Sequence, residues 1–303
     1  PQVLQRLIDS NLEQTPGYGS DQYCGQAAAK IRQACGRDDL AVHFLVGGTQ
    51  ANLTVIAAAL RPHQGALAAE TGHISVHESG AIEATGHKVL TLPHQDGKLT
   101  AGSIAAAVES HWQDASYEHT VQPALVYLSQ PTEYGTLYSK AELTEISRVC
   151  RERGLLLYLD GARLAYALAA PGNDLELTDL ARLCDAFSIG GTKAGALFGE
   201  AVVLAEPRLQ ADFRYIIKQR GGMLAKGRLL GLQFDALFTD DLYRQIGAHA
   251  VSLALHLKDA LTRAGWRFQV DSYTNQQFPI LPDDLLASLG DEFGYTWWER
   301  VDD

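Results

Sequence analysis

Apolar runs of strand length alternate along this chain with segments of helical period, and that alternation restricts the fold more than any other feature. VHFLV (42–46) precedes a Gly-Gly turn and the helix-like TQANLTVIAAAL; ALAAE (66–70) precedes SVHESGAIEAT. HKVLTLP (87–93) precedes LTAGSIAAAVESHW, and ALVYLS (124–129) precedes SKAELTEISRVCRERG. LLLYLD (155–160) leads through a loop to LTDLARLCD, and AFSIG (186–190) and AVVLAE (201–206) follow. The runs are continuous rather than alternating, as required of strands covered on both faces. Strand–helix alternation of this kind predicts an α/β fold with a mostly parallel sheet and helices on both faces.

After about residue 206 the pattern changes. PRLQADFRYIIKQR and the long DDLYRQIGAHAVSLALHLKDALTRAG read as helices, WRFQV (266–270) as a strand, and SYTNQQFPILP as strand and turn. The expected division is a large α/β domain over 12–238 and a small α+β domain built from 1–11 and 239–303. A formal charge of -11 argues against nucleic acid or an anionic membrane as the main partner. The four cysteines lack the C-x-x-C spacing of a metal or redox site, so a reduced, cytoplasmic protein is expected. No apolar run approaches the length of a membrane span and no signal peptide is read. Because the chain starts at Pro1 and stops at WWERVDD, both ends are expected to be cut.

In an open parallel sheet, ligands bind beyond the carboxyl ends of the strands, and four unusual features fall there. Gly47, Gly48 and Thr49 lie between a strand and a helix, where free N–H groups and a positive dipole end suit an anion. His73 follows the next strand, with His77 and Glu78 a helical turn on; the H-E-x-x-H pattern of a metalloprotease is absent, and no metal site is expected. His73 could instead lie flat against an aromatic ligand. Asp160 ends a buried strand, followed by Gly161 and Arg163; such a carboxylate needs a cation, either Arg163 or a protonated ring nitrogen of a ligand. Lys193 comes 33 residues after Asp160, at the end of a neighbouring strand, inside SIGGTKAGALFGEAVVL. Small apolar flanks suit a desolvated amine that acts as a nucleophile. One ligand satisfies all four features: pyridoxal 5′-phosphate, with its phosphate, flat ring, ring nitrogen and aldehyde. A phosphate- or nucleotide-binding α/β domain that is not an enzyme would use the glycine turn alone and leave Asp160 and Lys193 without partners.

FLVGGTQANL, AETGHISVHESGAIEATGHKV, LYLDGARLAYA and FSIGGTKAGALFGEAVVL, in this order and spacing, resemble the threonine aldolase family of fold type I pyridoxal-phosphate enzymes, grouped with the β-eliminating lyases. The resemblance runs from about Asn11 to Arg300. It implies a seven-stranded, mostly parallel sheet, a small C-terminal domain, and a homodimer or homotetramer with active sites at the dimer interface. It implies Lys193 as the amine that bonds the cofactor aldehyde, Asp160 on the pyridine nitrogen, His73 stacked on the ring, and Gly48 and Thr49 on the phosphate. Arg163 would lie near the cofactor 3-hydroxyl and the substrate carboxylate. Many relatives carry Ser-Gly-Thr where this chain has Gly47-Gly48-Thr49, so backbone N–H groups or Thr192 would replace one contact. His77 stands where many relatives have an aromatic residue, and KQRGGMLAKGR (218–228) departs from the usual Gly-Gly-Met-Arg-Gln; Lys226 or Arg228 would reach a neighbouring subunit's phosphate or be plain surface charge. An N-terminal serine-containing segment and a C-terminal arginine for the substrate carboxylate are not found. The implied reaction is retro-aldol cleavage of a β-hydroxy-α-amino acid to glycine and an aldehyde, with His73, His77 or a water as the base. β-Elimination on an amino acid with the same cofactor is the alternative.

Overall fold

The computed structural model describes residues 1–290 and 292–301. Seven strands form one sheet: β1 (Ala41–Leu45), β2 (Gln64–Ala69), β3 (Lys88–Leu92), β4 (Gln122–Ser129), β5 (Leu156–Asp160), β6 (Ala186–Gly190) and β7 (Glu200–Leu204). Their order is β1-β7-β6-β5-β4-β2-β3. Six strands run in one direction; β7 alone is antiparallel to both its neighbours, β6 and β1. Every apolar run quoted above becomes one of these strands, with ends displaced by up to two residues.

The reason those runs are unbroken lies in the two cores. Leu157 and Leu159 of β5 point into one apolar cluster, with Val126, Leu128, Phe187, Ile189 and Val203; Tyr158 between them points into the other, with Leu125, Tyr127, Ala186 and Val202. Successive side chains of a strand face opposite sides, so a sheet packed on both must be apolar at every position. The edges differ accordingly. β3 mixes exposed and buried residues, and β1 is only partly buried until Leu45. One face is covered by the helix Gly48–Ala59 through Ala51, Val55 and Ile56, and by Phe213 and Ile217 of Phe213–Gln219. The other is covered by Gln22–Cys35, Ala101–Gln113, Lys140–Arg153 and Leu177–Leu183.

Helix boundaries follow local chemistry. Ser139 caps Lys140–Arg153 in a reciprocal pair with Glu142, and Gly154 ends it in a left-handed conformation. Departures from the sequence reading have equally local causes. SVHESGAIEAT forms only the short helix His73–Val76 and a 3-10 turn at Glu83–Thr85, because Ser79 and Gly80 both take positive φ between them. PRLQADFRYIIKQR splits into Pro207–Gln210 and Phe213–Gln219. The strand expected at 266–270 is reduced to one bridge, Phe268 to Pro279, closed by Gln269 N–H to Phe278 O at 3.0 Å and Ile280 N–H to Arg267 O at 2.8 Å. The helix Leu242–Arg263 precedes this bridge in the chain, as expected.

Candidate active site

The carboxyl ends of β1, β2, β5 and β6 lie along the same edge of the sheet, and the four sequence features hang from them. Asp160 is the last residue of β5 and only 5% exposed. Its side chain shares the face of Tyr158, towards the helix Gly48–Ala59. Asn52 of that helix donates to Asp160 Oδ2 at 2.9 Å and the Tyr127 hydroxyl donates to the same oxygen at 2.7 Å. Oδ1 accepts the Ala162 N–H at 2.9 Å and the Ser188 hydroxyl at 3.4 Å. Tyr158 in turn donates to Asn52 Oδ1 at 2.8 Å. The carboxylate is therefore held in one orientation by protein donors, and Arg163 is not among them. None of Asn52, Tyr127 or Ser188 stood out in the sequence; each reads there as one polar group in an apolar helix or strand.

His73 opens the short helix after β2. Its Nδ1 lies 2.7 Å from Glu78 Oε1, and that oxygen also accepts from Asn52 at 2.6 Å, joining His73 to the Asp160 network. Its backbone N–H donates to Glu133 Oε1 at 2.9 Å, which the Ser129 hydroxyl shares at 2.7 Å. The Glu78 hydrogen bond raises the His73 pKa above the ordinary histidine range despite burial, with the Asp160 charge adding to it. Burial raises the Glu133 pKa. The His77 ring lies 5.5 Å from that of His73 and 5.5 Å from Trp298. Burial and the charges of His73 and Arg163 push the His77 pKa down. Two neighbouring histidines are thus driven apart, His73 towards keeping a proton and His77 towards losing one. Among the described residues no cluster of three or more His, Cys, Asp or Glu side chains could hold a metal ion.

Lys193 sits in the turn between β6 and β7. Gly191 and Thr192 donate their N–H groups to Gly199 O at 2.9 and 3.0 Å, and Gly199 N–H returns to Thr192 Oγ1 at 2.9 Å. Gln233, fully buried, accepts from Leu197 N–H at 2.7 Å, and the Tyr166 hydroxyl donates to the Lys193 carbonyl. These bonds close the turn that carries Lys193. In the single chain Lys193 still meets solvent, yet burial of its head group and the Arg163 charge lower its pKa, against the opposing pull of Asp160, Glu200 and Glu78. The close approach behind it needs glycine: a Cβ on Gly161 would lie 2.1 Å from Ser188 O, and one on Gly190 2.2 Å from Ala162 O.

Gly47 is the N-cap of Gly48–Ala59 and provides no side-chain cap; a Cβ on Gly47 or Gly48 would meet nothing within 4 Å. The first-turn N–H groups, with Thr49 beside them, face open space at the positive end of a twelve-residue helix. Arg163 precedes the helix Leu164–Ala169, near enough to Lys193 and His77 to act on both. The structure thus gathers His73, Asp160, Arg163 and Lys193 through shared contacts and charges, and places Gly47, Gly48 and Thr49 on the same sheet edge. The Thr192 hydroxyl closes the lysine turn, and Arg228 donates to the carbonyls of Ser10 at 2.9 Å and Glu13 at 3.3 Å, anchoring the N-terminal segment.

The beta-eliminating lyase family model matches residues 3–277. A low specificity L-threonine aldolase of Pseudomonas aeruginosa is 35% identical over 253 residues, covering 82% of this chain and 71% of its own. A low specificity L-threonine aldolase of a Pseudomonas species is 34% identical over the same shares. A solved threonine aldolase of Leishmania major superposes with a TM-score of 0.97 at 47% identity, over all of this chain and 87% of its own. A Thermus thermophilus aspartate aminotransferase variant, 13% identical with a TM-score of 0.68 over 91% of this chain and 70% of its own, shares the fold alone.

Proposed function

The chain belongs to the beta-eliminating lyase family, and from that premise we propose that it is a pyridoxal-phosphate-dependent aldolase that cleaves a β-hydroxy-α-amino acid to glycine and an aldehyde. Threonine, allo-threonine and phenylserine are the substrates of that class. One observation carries the reading: an amine depressed by burial and by Arg163 stands at the same sheet edge as a carboxylate that four protein donors hold in place.

The residues fit the cofactor. The open space before the uncapped helix suits a phosphate, received by the N–H groups of Gly48 and Thr49 with Gly47 leaving room. Asp160 would accept from the protonated ring nitrogen, and His73, whose ring Glu78 orients, would pack against the ring. When bound, pyridoxal phosphate supplies an electrophilic aldehyde and a protonated ring that draws electrons from a bond at the substrate α-carbon. Lys193 would supply the amine that anchors the cofactor. Arg163 holds the substrate carboxylate. His77, whose pKa is lowered by burial and by the charges of His73 and Arg163, takes the proton from the β-hydroxyl oxygen.

On this reading residues 12–238 form the cofactor domain, and 1–11 with 239–303 the smaller one. A second copy closes the site: Val46 and Leu197, on the segments after β1 and β6, and Val76, at the end of the short helix after β2, stay exposed in the lone chain. Homodimer or homotetramer is the expected assembly. Cytoplasmic location accords with four unpaired, buried cysteines, and among the described residues no helix is long and apolar enough to cross a membrane.

Product analysis tests the proposal. Purified protein supplied with pyridoxal phosphate and L-threonine should release glycine and acetaldehyde in equal amounts. Ammonia and a 2-keto acid in their place would make it a β-eliminating enzyme instead.

A further inference from the structure

Because β7 runs against its neighbours, its first residue, not its last, arrives at the functional edge of the sheet. That residue is Glu200, in register with Gly190 of β6 on one side and Leu45 of β1 on the other. It follows directly on the lysine turn, which Gly199 closes. Glu200 is 3% exposed, and its Oε2 is buried with no hydrogen-bond partner among the described residues. A carboxyl group in such a place is costly to keep charged unless a cation balances it.

Charged and titratable groups of three other elements act on it or feel its charge: Asp160 and Tyr158 of β5, Lys193 of the turn, and Tyr243 of the helix Leu242–Arg263. Lys193 is the cation among them. No ion pair within 4 Å joins the two in the structure's described contacts, so the coupling acts through the field rather than through a fixed contact.

On the reading proposed above, Lys193 must alternate between a bound amine and a free one, and a free amine gains a proton. We propose that Glu200 is a positioning residue that balances this proton through its field: its buried carboxyl group loses its O–H proton to solvent as the freed Lys193 amine takes one up, leaving a carboxylate near an ammonium. The O–H bond of Glu200 breaks with its proton passing to water, an N–H bond on Lys193 forms with a proton taken from water, and the reverse exchanges restore the neutral pair before the amine attacks again. The energetics agree with the geometry. Burial, followed by the Asp160 charge, raises Glu200 to about 8, so at neutral pH it carries a proton; the Thr192 hydroxyl, the Lys193 charge and the Gly191 amide oppose this. The same Glu200 charge, once formed, favours the ammonium of Lys193.

The test uses cofactor-free protein and reads Lys193 itself. Trace acetylation of Lys193 by acetic anhydride, followed by peptide mass spectrometry from neutral to strongly alkaline pH, reports when the amine loses its proton. In Glu200→Gln no carboxylate forms, so the midpoint should fall by about one pH unit, while Glu200→Asp keeps it near wild type. Equal midpoints in wild type and Glu200→Gln would overturn the proposal. Should Glu200→Gln not fold, wild type alone decides. A labelling curve broader than one-proton titration, with an inflection near 8, supports the coupling. A simple one-proton curve refutes it. Cofactor uptake by wild type keeps the two levels separate: failure to bind pyridoxal phosphate removes the functional reading, whereas binding with an unmoved midpoint removes only the role of Glu200.

Discussion

At the scale of single residues, the site is a set of charges whose environments oppose one another. Lys193 is depressed, His73 is raised, and His77 is depressed within ring contact of His73. The sign for His73 follows from its largest cause. Glu78 stabilises the imidazolium, so His73 keeps its proton to higher pH than an ordinary histidine. Glu78→Gln removes a charge-assisted hydrogen bond, and the His73 midpoint, followed by NMR of the ring protons, should drop by about one pH unit. An unchanged midpoint would mean that the 2.7 Å contact does not govern the ring. Lys193 and Asp160 were legible in the sequence because a lone lysine among small residues and an aspartate ending an apolar run are both anomalous. Glu78 was visible only as a neighbour of His77. Asn52, Tyr127 and Gln233 were hidden, because their importance lies in partners 26 or more residues away that only folding brings near.

At the scale of elements, the strands were legible and some helices were not. Continuous apolar runs mark doubly covered strands with little ambiguity, and each one proved to be a strand. Helical period says less where backbone conformation intervenes. Positive φ at Ser79 and Gly80 cuts one expected helix to a single turn, a break written in the Ser-Gly pair but outvoted by the flanking pattern. WRFQV illustrates the converse: its β-favouring residues find only one short antiparallel partner, so the strand shrinks to a bridge. The junction of β5 and β6 is where elements set the chemistry, since the Gly161 N–H donates to Ser188 and the Gly190 N–H to Gly161 O, both at 2.9 Å. Gly161→Ala forces a methyl group onto the Ser188 carbonyl, and urea unfolding should show a loss of about 1–3 kcal/mol. A variant as stable as wild type would show that the two strand ends can separate without cost.

At the scale of the whole molecule, the sheet acts as a frame that carries four loops to one edge, and the reversal of β7 adds Glu200 to them. Antiparallel β7 could not be read from the runs alone: the short glycine turn before AVVLAE hints at it, since a parallel crossover needs a dozen or more residues. The proposed activity requires a bond between the Lys193 amine and the cofactor aldehyde. Borohydride reduction of protein loaded with pyridoxal phosphate, followed by digestion and mass spectrometry, tests that bond directly. The reduced cofactor should be found on the peptide bearing Lys193, in stoichiometric yield and nowhere else. A label carried by another lysine, or none at all, would contradict the account.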